Sequence, residues 1–117
     1  MNDIPTKARG VVKERQNHQC ARCGNRYQEL HHRMRRREGL HGYENLVGLC
    51  GTCHRWVHKH PKQAVAEGYI IPIHVDDISA VPIHTFMGWL TFDSDGGSAF
   101  ASEPKGQNCW VSASASL

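Results

Sequence analysis

Nothing in this chain of 117 residues approaches the roughly 18 consecutive apolar residues that cross a membrane, and the N-terminus lacks the apolar core of a signal peptide. A soluble, cytoplasmic protein is expected. Internal repeats are absent, and the length leaves room for one domain with a modest core rather than two. Cysteine is present in an odd number, five, which suits a disulfide framework poorly. Acidic residues are scarce where basic ones gather. Residues 1–37 hold ten Lys or Arg against three acids, whereas residues 61–117 hold two against six. A basic N-terminal third is the electrostatic footprint of a polyanion binder, because phosphate contacts supply most sequence-independent affinity for nucleic acid. The plainer alternative is a solvated basic surface.

What is present is concentrated between Cys20 and His58. Two Cys-x2-Cys pairs, Cys20/Cys23 and Cys50/Cys53, can close a tetrahedral Zn2+ site, each short gap turning both sulfurs toward one ion. In a reducing compartment these four read as structural zinc ligands, with Cys109 left over. Between and after the pairs lie His31, His32, Asn45, His54 and His58.

The local patterns place these residues. Thr6–Gln16 has helical spacing of Ala8, Val11, Val12 and Arg15 and predicts a short basic helix, with Gly10 weakening it. Gly24 suits the turn after the first knuckle. Tyr27–Arg33 and Leu46–Leu49 predict two paired strands. The Arg33–Gly39 run is too charged to bury and predicts an exposed loop. Thr52 is the N-cap candidate for a helix to Lys59, on which His54 and His58 share one face; a second short helix runs from Pro61 to Glu67, capped by Gly68. Trp56 and Val57 are expected to pack that first helix on the strands. Residues 69–73 and 80–83 look extended. Trp89–Phe92 and Ser98–Phe100 predict a hairpin, with Trp89, Phe92 and Phe100 as a satellite core. His18, His41, His60, His74 and His84 read as surface residues.

Hydrolysis of a phosphodiester needs a water-derived nucleophile, neutralisation of charge on the phosphoryl oxygens and help for the leaving oxygen. One divalent ion supplies the last two, and a histidine can take the proton from water at neutral pH. His31 and His54 are the expected ligands, His58 a third ligand or a phosphate contact, and His32 the general base. Asn45 is expected to hold the base-bearing loop through backbone hydrogen bonds. Adjacent residues of a regular strand face opposite sides, so the strand is expected to end or distort at His31–His32. The expected phosphate contacts are Lys13, Arg15, Arg33, Arg35, Arg36 and Arg37.

The order strand, His-His, Asn-Leu-Val, Cys-x2-Cys-His-x3-His resembles the zinc-stabilised HNH endonucleases, the ββα-metal nucleases, over residues 20–58. The resemblance implies a small α+β domain of ββα-metal, treble-clef-like form, with two zinc knuckles, a basic N-terminal helix and a C-terminal β-hairpin extension. Residues 1–68 would form the nuclease domain, 69–101 an extended segment and hairpin, and 102–117 a disordered tail. It further implies His31 as first ligand, His32 as base, Asn45 as the middle residue, His54 as the ligand opening the helix and His58 as a ligand found in some members. The expected activity is nicking or double-strand cleavage of DNA with Mg2+, Mn2+, Ni2+ or Zn2+. The whole chain is similar to small HNH proteins of phages, some of which act beside the terminase in genome packaging, so the resemblance adds terminase as a candidate partner. Many relatives carry Asp where this chain has His31, and imidazole favours softer ions than Mg2+. The rival is a non-catalytic zinc module that binds nucleic acid, or a structural partner of a packaging complex.

Overall fold

A computed structural model of the chain describes residues 4–35 and 42–104. Helix α1 (Thr6–Arg15) leads to strand β1 (Glu29–His32), which pairs antiparallel with β2 (Leu46–Leu49) in the register His31↔Val47 and His32↔Leu46. Helix α2 (Gly51–Lys59) and helix α3 (Pro61–Ala66) follow, and a second antiparallel sheet in the order β3 (Ile83–Thr85), β4 (Gly88–Phe92), β5 (Ser98–Phe100) completes an α+β fold.

β2 is buried along its whole length because it is covered twice. Val47 and Leu49 join the main core with Val57, Tyr69, Ile83, Leu90 and Phe92, while Leu46 meets Ala8 and Val12 of α1, with Leu30 packed alongside. Met34, Ile71 and Val81 form a third cluster. Trp56 packs against the main core from α2, as expected. Just beyond α3 and its C-cap Glu67, Gly68 has φ of +85°, and an added Cβ there would lie 2.1 Å from the Pro82 carbonyl oxygen. Only glycine allows that approach.

Several expectations need correction. The first strand is shorter than Tyr27–Arg33, and its pairing stays regular through His32 before ending there. Thr52 lies inside α2, whose N-cap is Cys50; its Sγ accepts from the Cys53 amide at 3.4 Å. Residues 69–73 form no strand, residues 78–80 make a 3-10 turn, and Ile83–Thr85 is a third strand beside the expected hairpin. Phe92 belongs to the main core, whereas Phe100 is exposed, so no satellite core of Trp89, Phe92 and Phe100 forms. Arg36, Arg37 and most of the expected tail, residues 105–117, lie outside the described residues.

The largest correction concerns Arg33, expected in an exposed loop as a DNA contact and instead 1% exposed. Its Nε donates to the Gly68 carbonyl (2.9 Å), Nη1 to Glu44 (3.0 Å) and Nη2 to Val81 (2.8 Å). The guanidinium thus ties the end of β1 to three later segments, and burial lowers its pKa to about 9, still charged at neutral pH. Arg15 is likewise committed inward: it donates to the Tyr43 and Leu46 carbonyls and lies 3.6 Å above the Phe92 ring. Neither is free to meet phosphate. Arg33→Met keeps the stem but strands three buried carbonyls, at roughly 1 to 3 kcal/mol each. Urea unfolding of the variant beside wild type is expected to show a loss of about 3 kcal/mol or more; a loss below about 1 kcal/mol would contradict the structural role.

Candidate metal centres

Two clusters of metal-binding side chains stand on either side of the start of α2. The first is Cys20, Cys23, Cys50 and Cys53, whose sulfurs all lie within 4.8 Å of one another. The Cys20 knuckle is closed by the Gly24 amide donating to the Cys20 carbonyl at 2.9 Å, with Gly24 at φ +81° as its sequence position suggests. The second knuckle is the N-terminal turn of α2 itself. Cys23 Sγ and Cys50 Sγ are 3.7 Å apart, far beyond a disulfide bond. A tetrahedron with Zn–S bonds of about 2.3 Å has edges of about 3.8 Å, so the spacing fits zinc.

Charge makes the same point. Loss of water pushes the Cys23 and Cys53 thiols up, whereas at Cys50 the Cys53 amide and the neighbouring sulfurs outweigh that loss and hold the thiol down, so the cluster favours one thiolate by itself and needs a cation to hold more. Arg22 Nη1 lies 3.9 Å from Cys53 Sγ and its guanidinium sits 3.6 Å over the Trp56 ring, placing one positive charge beside a centre that would carry excess negative charge with zinc bound. Three of the four cysteines are buried, which is the closed form of a structural site.

The second cluster is His31, His54 and His58, again with ligand atoms within 4.8 Å of one another. Alternation along β1 turns Glu29 and His31 toward α2, and the four-residue spacing on α2 sets His54 and His58 one turn apart. The ring centroids form a triangle with sides of 5.0, 5.7 and 5.0 Å. His31 Nε2 is 2.7 Å from the Tyr69 carbonyl oxygen, which can only accept, so that nitrogen carries the proton. His54 Nδ1 donates in the same way to Glu29 Oε1 at 2.6 Å. The remaining nitrogens, His31 Nδ1 and His54 Nε2, therefore face each other at 3.3 Å with a lone pair each. Two acceptors that close repel unless a proton or a metal ion stands between them. With Zn–N bonds of about 2.0 to 2.1 Å, a tetrahedral edge is about 3.3 to 3.4 Å, so the pair is spaced for one ion. His58 is exposed, which leaves the trio open on one side, unlike the cysteine cluster.

Burial, with the neighbouring His54, His58 and His32, lowers the His31 pKa to about 4 against the Tyr69 bond, which raises it. His31 is thus neutral, the form that binds metal, well below pH 7. Between pH 6.5 and about 4 the unfolded chain takes up a proton that the fold refuses, so stability present above pH 6.5 falls as the pH drops through that window. Cysteine ligands are also protonated on acidification, so the comparison of His31→Gln with wild type isolates the effect. Urea melts from pH 7 to 4 are expected to show a shallower loss for the variant; parallel curves would contradict it.

His32 follows on the strand and by alternation shares the side of Leu30, which packs toward α1. Asn45 is buried and clamps the segment just beyond: Oδ1 accepts from the Met34 amide at 2.7 Å and Nδ2 donates to the Met34 carbonyl at 3.1 Å. That is the backbone clamp expected of it. Lys13 and Arg35 are exposed, as are His18, His60, His74 and His84. Sequence reasoning missed Glu29, although two residues before His31 on a strand puts it on the same face. It also missed the Tyr69 carbonyl, for which side-chain identity gives no signal. Comparison of the chain with protein-family models, curated proteins and solved structures finds no match.

Proposed function

We propose that the protein is a metal-dependent endonuclease of the HNH kind that hydrolyses phosphodiester bonds of DNA at the His31, His54 and His58 cluster. The observation that carries this is the facing pair of imidazole nitrogens, each with its other nitrogen tied to an acceptor, on the open side of which His58 lies. His31, His54 and His58 would hold a divalent ion there, and the ion would supply Lewis-acid stabilisation of the charge on the phosphoryl and leaving oxygens. The chain's own residues do the rest. Glu29 and the Tyr69 carbonyl fix ring orientation and tautomer, the outer bonds on which ligand strength depends. Asn45 holds the backbone after His32, and His32 takes the proton of the attacking water. The cysteine cluster, carrying structural zinc, pins the turn from which His54 and His58 project. An all-imidazole donor set favours Zn2+ or Ni2+ over Mg2+.

An end-labelled duplex incubated with Mg2+, Mn2+, Ni2+ and Zn2+ in turn tests the proposal. Metal-dependent cleavage leaving 5′-phosphate ends is expected, and no cleavage with any ion would overturn it. One observation favours the non-catalytic zinc module instead: the regular pairing of His32 sets it on the strand side away from the trio, so a base role requires it to reach around the strand end. Assistance to a phage terminase belongs to the same proposal and rests on the resemblance alone; co-purification with a terminase without cleavage by the protein alone would favour the assembly role.

A further inference from the structure

Between α1 and the arm of chain leading into β1 lies a cleft of about 660 Å³. Thr6, Arg9, Gly10 and Lys13 line one wall and Arg26 and Tyr27 the other. The walls are built rather than incidental. Asn17 and His18 both have positive φ, reversing the chain after α1, and the His18 carbonyl then accepts from the Tyr27 amide at 3.1 Å while Gln19 and Arg26 make a β-bridge.

Three cations and no acid line this cleft. Among the described residues the side chains of Lys13 and Arg26 have no ion pair or hydrogen bond, and Arg9 has one bond, to the Ile4 carbonyl at 3.3 Å. This is the reverse of Arg15, Arg22 and Arg33, whose guanidinium groups are spent on carbonyls, sulfur and rings. Arg9 and Lys13 are one helical turn apart, about 6 Å along the axis, so their cationic ends can reach neighbouring phosphates of one DNA strand. Gly10 sits between them. A glycine inside a helix costs roughly 0.5 to 1 kcal/mol, yet a Cβ there would meet nothing within 4 Å, so packing does not require it. Its effect is to keep the floor of the cleft low. Two rings line the cleft, the exposed imidazole of His18 and the phenol of Tyr27, and the Tyr27 ring is packed over Gly48 and half-buried, so little stacking surface faces the cleft beside its three cations.

We propose that this cleft seats the sugar–phosphate backbone of duplex DNA, with Arg9, Lys13 and Arg26 as the phosphate contacts in place of Arg15 and Arg33, which are bound to carbonyls inside the fold. This deepens, and rests on, the proposal that the protein acts on DNA. Gln28, also on the cleft, immediately precedes Glu29, so the seated backbone lies against the arm that becomes β1 and carries Glu29 and His31.

The test is binding of the full chain, zinc-loaded and without other divalent ions, to a mixed-sequence duplex by fluorescence anisotropy across a salt series. Each phosphate contact contributes about 0.9 to the slope of log affinity against log salt, so Arg9→Gln, Lys13→Gln and Arg26→Gln together are expected to flatten it by nearly 3. Lys62→Gln, on α3, should leave it unchanged. Gly10→Glu improves the helix while placing a carboxylate in the cleft, and is expected to keep the fold and weaken binding at least tenfold. A triple variant with the wild-type slope, or Gly10→Glu with wild-type affinity, would overturn the proposal. Preferential binding of a single strand, lost in the same variants, would overturn the duplex assignment. Cleavage with an unchanged slope sinks the cleft alone; a flattened slope in a protein that never cleaves sinks the nuclease alone.

Discussion

Cys50→Ser is expected to leave the chain unfolded at neutral pH. The substitution is chosen because Cys50 has two roles that can be separated. Its Sγ caps α2 by accepting from the Cys53 amide, and it stands 3.7 Å from Cys23 Sγ in the four-cysteine cluster. Serine is a good N-cap, so the helix start survives the change. A thiolate ligand does not. Structural zinc contributes roughly 10 to 16 kcal/mol in comparable small modules, as much as the whole net stability of about 5 to 15 kcal/mol of a typical domain. The main core depends on this centre directly, since Cys20, Cys50 and Cys53 are members of it beside Val57, Ile83 and Phe92. Circular dichroism and a thermal melt of the variant should show no cooperative transition, and a chelator should do the same to wild type. A native, cooperative melt without bound zinc would show that the cysteines do not hold the fold through metal.

His32→Ala is expected to lower the cleavage rate by about 10² to 10⁴-fold, the usual worth of a positioned general base. Fold, metal affinity and DNA affinity should stay near wild type, because neither cluster uses His32 as a ligand. The change must therefore show in the rate at saturating metal and DNA. Cleavage by His32→Ala at near wild-type rate would remove His32 from the chemistry and leave the base unassigned.

How much of this was legible before the structure differs by residue. The cysteine pairs and the His54/His58 spacing could be read because ligation depends on residue type and on short, local geometry. Asn45 could be read as a backbone clamp for the same reason, being an amide between two predicted strands. Arg33 and Arg15 could not. In sequence they are members of basic runs, and only the convergence of distant carbonyls, Gly68, Glu44 and Val81 on one and Tyr43 and Leu46 on the other, makes their burial favourable. β3 escaped notice because it has only three residues and follows Pro82, so neither alternation nor length marked it. Its place is set by pairing with β4, a tertiary fact.

The most direct measurement is relaxation of a supercoiled plasmid by wild type and His54→Ala, each with zinc in the cysteine cluster, across a titration of Ni2+ or Mn2+. His54 contributes one of the two facing nitrogens and is held by Glu29, so its loss should weaken the open site without touching the closed one. The expected result is metal-dependent relaxation by wild type and, for His54→Ala, both a lower maximal rate and a midpoint shifted to higher metal concentration, with the zinc content unchanged at the cysteines. Wild type that leaves the plasmid supercoiled at every metal concentration, or a His54→Ala curve that overlays wild type, would contradict a catalytic metal site in this protein.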